Sequence, residues 1–343
     1  MAGAGGVLGP AVGGFLITAF DWRWIFYVNA SLAIVAIIAA ACLIRSEVLR
    51  QDTRSPKYDF TGAALSAVVL LTFLLAVSNG SQMGWTSGPI LAAALGFIAF
   101  LAAFVWWELR SDVPLLDLRL FRSRVFSIGL ITNFMSFVAT TSARFLLPFY
   151  LQGALGYTPA VVGLVLLPNA ASRIVLGVVG GHLSDRFGRR PFTVTGLLLS
   201  AAGLFALASL SVSSSLVHVL VGVLLQSAGT GFFQSPNSAS IFSAVETGRH
   251  GVVSAFVSLS RNSGTVTGTA VATSIVVAVM VGGGDEPDIN AVLSSVPTTG
   301  LLSSFMAGLK SAFMVMGALQ LASAAVSLFS SPTGLQPASL PED

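Results

Sequence analysis

Gly181-His182-Leu183-Ser184-Asp185-Arg186-Phe187-Gly188-Arg189-Arg190 decides the reading of this chain. Asp185, Arg186, Arg189 and Arg190 crowd together between two long apolar runs, residues 160–181 and 192–211. A charge at the centre of a bilayer costs a few kcal/mol even on the lenient insertion scale. The stretch therefore reads as a tight loop at a membrane surface between two spanning helices. Its basic character places that surface in the cytoplasm.

Working outward, the rest of the chain agrees. The 343 residues are 54% hydrophobic and 9% charged, with a mean hydropathy of +0.86. A soluble domain carries about 25% charged residues. Reading for runs near the roughly 20 residues that cross a bilayer as helix finds ten. They are 3–20, 24–44, 60–79, 88–107, 125–151, 160–181, 192–211, 215–236, 250–281 and 302–330. The fold class is an all-α polytopic membrane protein of about ten transmembrane helices. The first run lacks a basic start and is rich in glycine, so it does not read as a secretory signal. The net charge of +3 lies in short loops between apolar runs, which excludes a nucleic-acid partner. One cysteine, Cys42, permits no internal disulfide, and three dispersed histidines make neither a metal site nor a catalytic cluster.

Orientation follows from the basic residues. With the N-terminus in the cytoplasm, alternate loops are internal. They hold Arg45, Arg50, Arg54, Lys57, Arg110, Arg119, Arg122, Arg124, Arg186, Arg189, Arg190 and Arg249, twelve of the 17 basic residues. The external loops hold Arg23 alone, and the last of them is acidic at Asp285, Glu286 and Asp288. An even number of spans puts both termini in the cytoplasm of a bacterial inner-membrane protein, with the lipid bilayer as its surroundings.

Four further stretches carry a resemblance. Gly181, Leu183, Asp185, Arg186, Gly188, Arg189 and Arg190 resemble the GxLaDRxGRR signature of the major facilitator superfamily. Gly5, Gly9, Pro10, Gly13 and Gly14 resemble the GxxxGPxxGG antiporter motif of its drug exporters, and Trp22 to Asn29 the WRWIFxxN segment that follows. Asp59 to Gly62 resembles the DxxG start of an extra helix, with Asp59 or Thr61 able to cap it. Glu108-Leu109-Arg110 with Pro114 to Phe121 resembles the ExR…PLLDLRLF link to the C-terminal half. Together these resemble the 14-helix drug:proton antiporter branch. The match implies helices five to fourteen of that plan, with the first four missing. It divides the chain into 1–45, the last two helices of the N-terminal half; 46–110, a cytoplasmic linker and inserted helix pair; 111–331, the six-helix C-terminal half; and 332–343, a cytoplasmic tail. The implied function is efflux of an amphiphilic small molecule by alternating access, driven by protons and needing no cofactor or metal, by a protein that is monomeric when complete. A chain shortened in this way is expected not to drive export alone. The alternative is a non-transporting fragment or interaction partner of a full-length exporter. A membrane-embedded enzyme would need clustered His, Asp or Ser at one interface.

Gly5, Gly9 and Gly13 repeat every four residues and line one helix face, which lets a neighbouring helix approach closely. Ser260, Gly264, Gly268 and Ala272 repeat the pattern in the ninth run, as two similar halves require. Arg144, Arg173 and Arg261 fall inside runs and need water, backbone carbonyls, an acid from another part of the protein or an anionic or polar substrate. No acid stands at the centre of a run. Arg261-Asn262 resembles a polar pair of this helix in the family. Asn169, Gln226, Gln234 and Asn237 are the other candidates for the substrate cavity, or else join neighbouring helices. Pro148, Pro168 and Pro236 are expected to interrupt helices and to serve as flexing points. The resemblance gives Asp185 a gating role at the N-terminal end of the first helix, where a helix dipole favours an acid.

Overall fold

The computed structural model describes residues 2–43, 59–111, 114–284, 288–293 and 299–329. These form ten long helices: α1 (Ala2–Ala19), α2 (Arg23–Leu43), α3 (Phe60–Met83), α4 (Gly88–Arg110), α5 (Arg124–Phe149), α6 (Pro159–Phe187), α7 (Arg189–Ala208), α8 (Leu216–Ser243), α9 (His250–Gly282) and α10 (Thr299–Ser327). The described residues contain no strand. Among them, the nine helices after α1 are long and apolar enough to cross a membrane. At 18 residues, α1 is about 27 Å long. The chain is a multi-pass membrane protein. Arg45, Arg50, Arg54, Lys57, Asp285, Glu286 and the tail 332–343 lie outside the described residues.

Helices α5 to α10 pack as one bundle: α8 lies between α6 and α7, and α10 touches α5, α7 and α9. Its core joins Leu146 of α5 and Tyr150 and Leu151 just past its end to Leu204 and Leu207 of α7, Val276 and Met280 of α9, and Phe305 and Phe313 of α10. Tyr150 reaches past this core and donates to the Ser211 carbonyl at 2.8 Å, since a buried phenol needs a partner. The α3–α4 pair leans on α9 through α3, and α1 lies along α6. No residue of the apolar stretch of α2 is buried.

The small-residue stripe of α9 is filled. Ser260 donates to the Leu130 carbonyl at 3.1 Å. A β-carbon on Gly264 would stand 2.9 Å from the Phe134 carbonyl oxygen, and one on Gly268 would collide with the Val138 backbone. One face of α9 thus runs up α5 in register, four residues at a time. The closest approach in the bundle is α7 to α8, where Gly196, Ser200 and Gly203 meet Gly229, Phe233 and Gln226 backbone to backbone.

Two expectations change. Residues 181–187 are not loop: α6 runs to Phe187 and α7 starts at Arg189. Nothing from Gly181 to Phe187 breaks a helix, and the charged side chains there point outward. The whole turn is Gly188, at φ 89°, a conformation open to glycine and costly for any side chain. The prolines also do not interrupt their helices. Pro148, Pro168 and Pro236 all lie inside helices. A five-residue π-helical turn, Tyr150–Ala154, follows Pro148.

Candidate functional site

The motif around Gly188 works as a clamp. Arg189 donates to the Ala239 carbonyl at 3.0 Å and to the Ser243 hydroxyl, both in the last turns of α8. Arg190 donates to the Leu328 carbonyl just past α10. Each guanidinium thus sits on a carbonyl at a helix C-terminal end, where the dipole also favours a cation. Behind the clamp lies a cavity of about 280 Å³, bordered by Gly129 and Thr132 of α5, Arg189, Arg190 and Thr193 of α7, Asn237 and Ser240 of α8, and Ser327 of α10. Asp185 and Arg186 are exposed on the last turn of α6. Neither makes an ion pair among the described residues.

The antiporter-motif glycines are placed unequally. A β-carbon on Gly14 would stand 2.5 Å from the Pro159 carbonyl oxygen, at the first residue of α6. Gly9 and Gly13 would meet nothing within 4 Å. The side-chain surroundings of Gly5 and Pro10 lie outside the described set. Because α1 lies along α6 and meets its first residue at Gly14, the two helices are antiparallel. Twelve residues back from Gly14 is about 18 Å of helix, whereas Pro159 to Asp185 is about 39 Å. The first described turn of α1 is therefore level with the middle of α6, and its contact with Asp185 is not made among the described residues.

A polar seam runs through the bundle with α5 at its centre. Gln234 of α8 donates to the Asn133 side-chain oxygen at 3.3 Å, and Asn133 donates to Ser260 of α9 at 3.2 Å. Asn237 of α8 donates to the Gly129 carbonyl at 3.1 Å. Gln320 of α10 donates to Ser136 at 3.3 Å. Ser327 of α10 donates to Thr193 of α7 at 3.2 Å. Two of the four amides named from the sequence therefore tie helices together. Gln226 instead bonds Thr230 one turn along its own helix, at 3.2 Å. Asn169 is half-buried and Asn262 exposed. Asn133, fully buried, and Gln320 were missed. The spacing of Asn133, Ser136 and Thr140 on one face of an apolar run was the available signal. The side-chain oxygens of Gln234 and Gln320 are buried with no partner among the described residues.

Arg144, Arg173 and Arg261 stand on α5, α6 and α9. Arg144 and Arg261 are exposed and Arg173 is half-buried. Both flanking arginines lie within electrostatic range of the Arg173 guanidinium. The three are far apart in sequence, and the fold brings Arg144 and Arg261 into range of Arg173.

The linker motif is knotted at the base of the inserted pair. Asp59 caps α3 by accepting from Gly62 N–H at 2.8 Å, and accepts from Trp107 Nε1 at 3.0 Å. Glu108, 4% exposed, accepts from Leu116 N–H at 3.1 Å. Asp117 pairs with Arg249 at the start of α9. Asp59 and Glu108 thus stand where each holds backbone or indole N–H groups of the surrounding segments.

Comparison with known proteins gives the same direction. The sequence model of the Major Facilitator Superfamily matches residues 1–269 and 129–342. The multidrug resistance protein Stp of Mycobacterium tuberculosis is 32% identical over 278 residues, 81% of this chain and 51% of that protein. The lincomycin resistance protein LmrB of Listeria monocytogenes is 31% identical over 62% of this chain and 45% of its own length. The riboflavin transporter RibZ of Clostridioides difficile is 28% identical over 79% of this chain and 58% of its own. The chain spans about half the length of the curated relatives it matches.

Proposed function

The chain belongs to the major facilitator superfamily, and from that premise we propose that the protein is a proton-coupled exporter of amphiphilic small molecules. Alternating access of two helical halves would move the substrate. The carrying observation is the α5-centred seam: buried amides and hydroxyls join helices whose other faces are apolar, and three arginines stand inside the spans of α5, α6 and α9. Polar groups at that depth are expensive and mark a substrate or ion path. The resistance proteins among the relatives support efflux as the direction. The α3–α4 pair supports the 14-helix plan, and Asp185, exposed and outside any ion pair among the described residues, is the residue available to a gating contact. The energy source in this reading is the proton gradient, with no cofactor.

Everted vesicles from cells expressing the protein at its native locus, compared with a deletion strain, test it. A fluorescent amphiphile should accumulate when protons are pumped inward and leak out when an uncoupler is added. Uptake indifferent to the gradient, or equal in both strains, overturns the reading. One second reading is a non-transporting partner of a full-length exporter. Its signature is a stable complex with such an exporter and no gradient-driven uptake of its own.

The orientation belongs to the same proposal. In a Cys42→Ser background, Asn290→Cys, exposed, should react with an impermeant maleimide on intact cells. Arg186→Cys, also exposed, should react only after lysis. The reverse pattern would invert the topology.

A further inference from the structure

We infer that the side of the bundle carrying Arg144, Arg173 and Arg261 binds an anionic headgroup, so that the amphiphile handled is an organic anion rather than a lipophilic cation. The inference rests on the transporter reading above and names its substrate class.

Position comes first. Leu130, Phe134 and Val138 of α5 face Ser260, Gly264 and Gly268 of α9. That register sets Arg261 level with residue 131 of α5, so Arg144 stands about 20 Å further along the bundle. Arg173, on α6 where it packs against Gly231 of α8, is within electrostatic range of both. Along the bundle axis Arg144 and Arg261 are thus about 20 Å apart, and Arg173 is the member in range of both. Asn169, one turn before Arg173, shares its face.

Compensation comes second. None of the three guanidiniums has a hydrogen-bond or ion-pair partner among the described residues. Every described acid stands in a turn or at a helix end. Three uncompensated like charges at this depth need water and a counter-charge. The chemistry then discriminates. A carboxylate, sulfonate or phosphate accepts paired N–H donors from a guanidinium in a charge-assisted fork. A cationic headgroup would meet three positive charges and no acceptor of opposite sign.

The test uses the purified chain in nanodiscs of zwitterionic lipid and three probes that differ only in headgroup: dansyl-tagged undecanoic acid, its methyl ester and the matching undecylamine. Binding is read by fluorescence anisotropy. The acid should bind about tenfold tighter than the ester, with the amine weakest. Arg173→Gln should remove the preference for the acid, and Arg173→Lys, which keeps the charge, should retain most of it. Helix content by circular dichroism must match wild type for each variant to be read. Phosphatidylglycerol in the disc separates the two sources of such an anion. Displacement of the acid by this lipid, lost in Arg173→Gln, makes the ligand a lipid headgroup; no displacement leaves a soluble amphiphile. Equal affinity for all three probes overturns the inference. So does a preference for the acid that survives the triple change of Arg144, Arg173 and Arg261 to Gln. Gradient-driven export of a cationic dye by a protein that ignores the acid would sink this inference and leave the transporter reading standing.

Discussion

Two stripes of small residues in this protein look alike in sequence and differ in what they touch. In α9, Ser260, Gly264, Gly268 and Ala272 lie flat against α5, and the last of them is fully buried. In α1, Gly9 and Gly13 of the matching series face open space, while Gly14, one position off the series, presses on the first residue of α6. A four-residue repeat identifies a helix face that can be approached. Only a neighbour of the right height and direction makes it an interface. In the absence of a hydrophobic drive between membrane helices, such contacts rest on close packing and on the bonds it permits.

The largest expected effect lies in the filled stripe. Gly268→Val forces a branched side chain into the Val138 backbone, and the helices must part. We predict a loss of about 3 kcal/mol, the upper end of the overpacking range, seen as a lower midpoint for loss of helix signal on heating in detergent. The companion Gly13→Val should leave the midpoint within the error. Equal effects at the two sites would erase the distinction.

Gly14→Ala sharpens the comparison within α1. Its β-carbon would press on the Pro159 carbonyl oxygen, backbone that cannot swing aside. The strain of about 1–3 kcal/mol is partly offset by the gain of about 0.5–1 kcal/mol from replacing a helical glycine. A net loss of about 1 kcal/mol is the expected midpoint shift, and a stabilised protein would show that α1 does not rest on α6 through this residue.

The polar seam comes next. A double-mutant cycle on Asn133→Ala and Gln234→Ala should return a coupling of about 0.6–1.7 kcal/mol, the span measured for hydrogen bonds between membrane helices. Zero coupling would mean that the amides of α5 and α8 are independent and that the seam is not a unit.

The smallest effect has the opposite sign. Gly9→Ala and Gly13→Ala meet no atom within 4 Å, so the helix-propensity gain should stand alone. Each should raise the unfolding midpoint by the equivalent of about 0.5 kcal/mol. A clear destabilisation at either position would show that the face is covered in the membrane.

Much of the fold was legible from one dimension. Helix boundaries follow hydropathy to within a few residues at α1, α2, α5 and α9, because crossing a bilayer demands a continuous apolar run. The exceptions are residues 237–243, where α8 runs on to Ser243 on polar residues that helix bonding tolerates once they reach partners or water, and 182–187. Charge density was read as loop, yet charged residues continue a helix readily when their side chains reach water. What ends α6 is Gly188, not Asp185. The candidate site was half legible. Gln234 and Asn237 were found because amides stand out in apolar helices, and Asn133 was passed over although it pairs with one of them and bonds α9 as well.

By itself the sequence determined the membrane class, the spans, the asymmetry of charge between loops and the family signatures. Each depends on local composition or on short spacings, and the bilayer enforces them residue by residue. Only the tertiary structure decided that Gly14 rather than Gly13 bears the contact, that Arg189 and Arg190 clamp α8 and α10 rather than pair with Asp185, and that Arg144 and Arg261 come into range of Arg173. Those outcomes depend on axial register and crossing between helices as much as 145 residues apart, the separation of Gly14 and Pro159. The forces that set register act through contacts of a few ångströms, and nothing in the order of residues along one chain measures that distance.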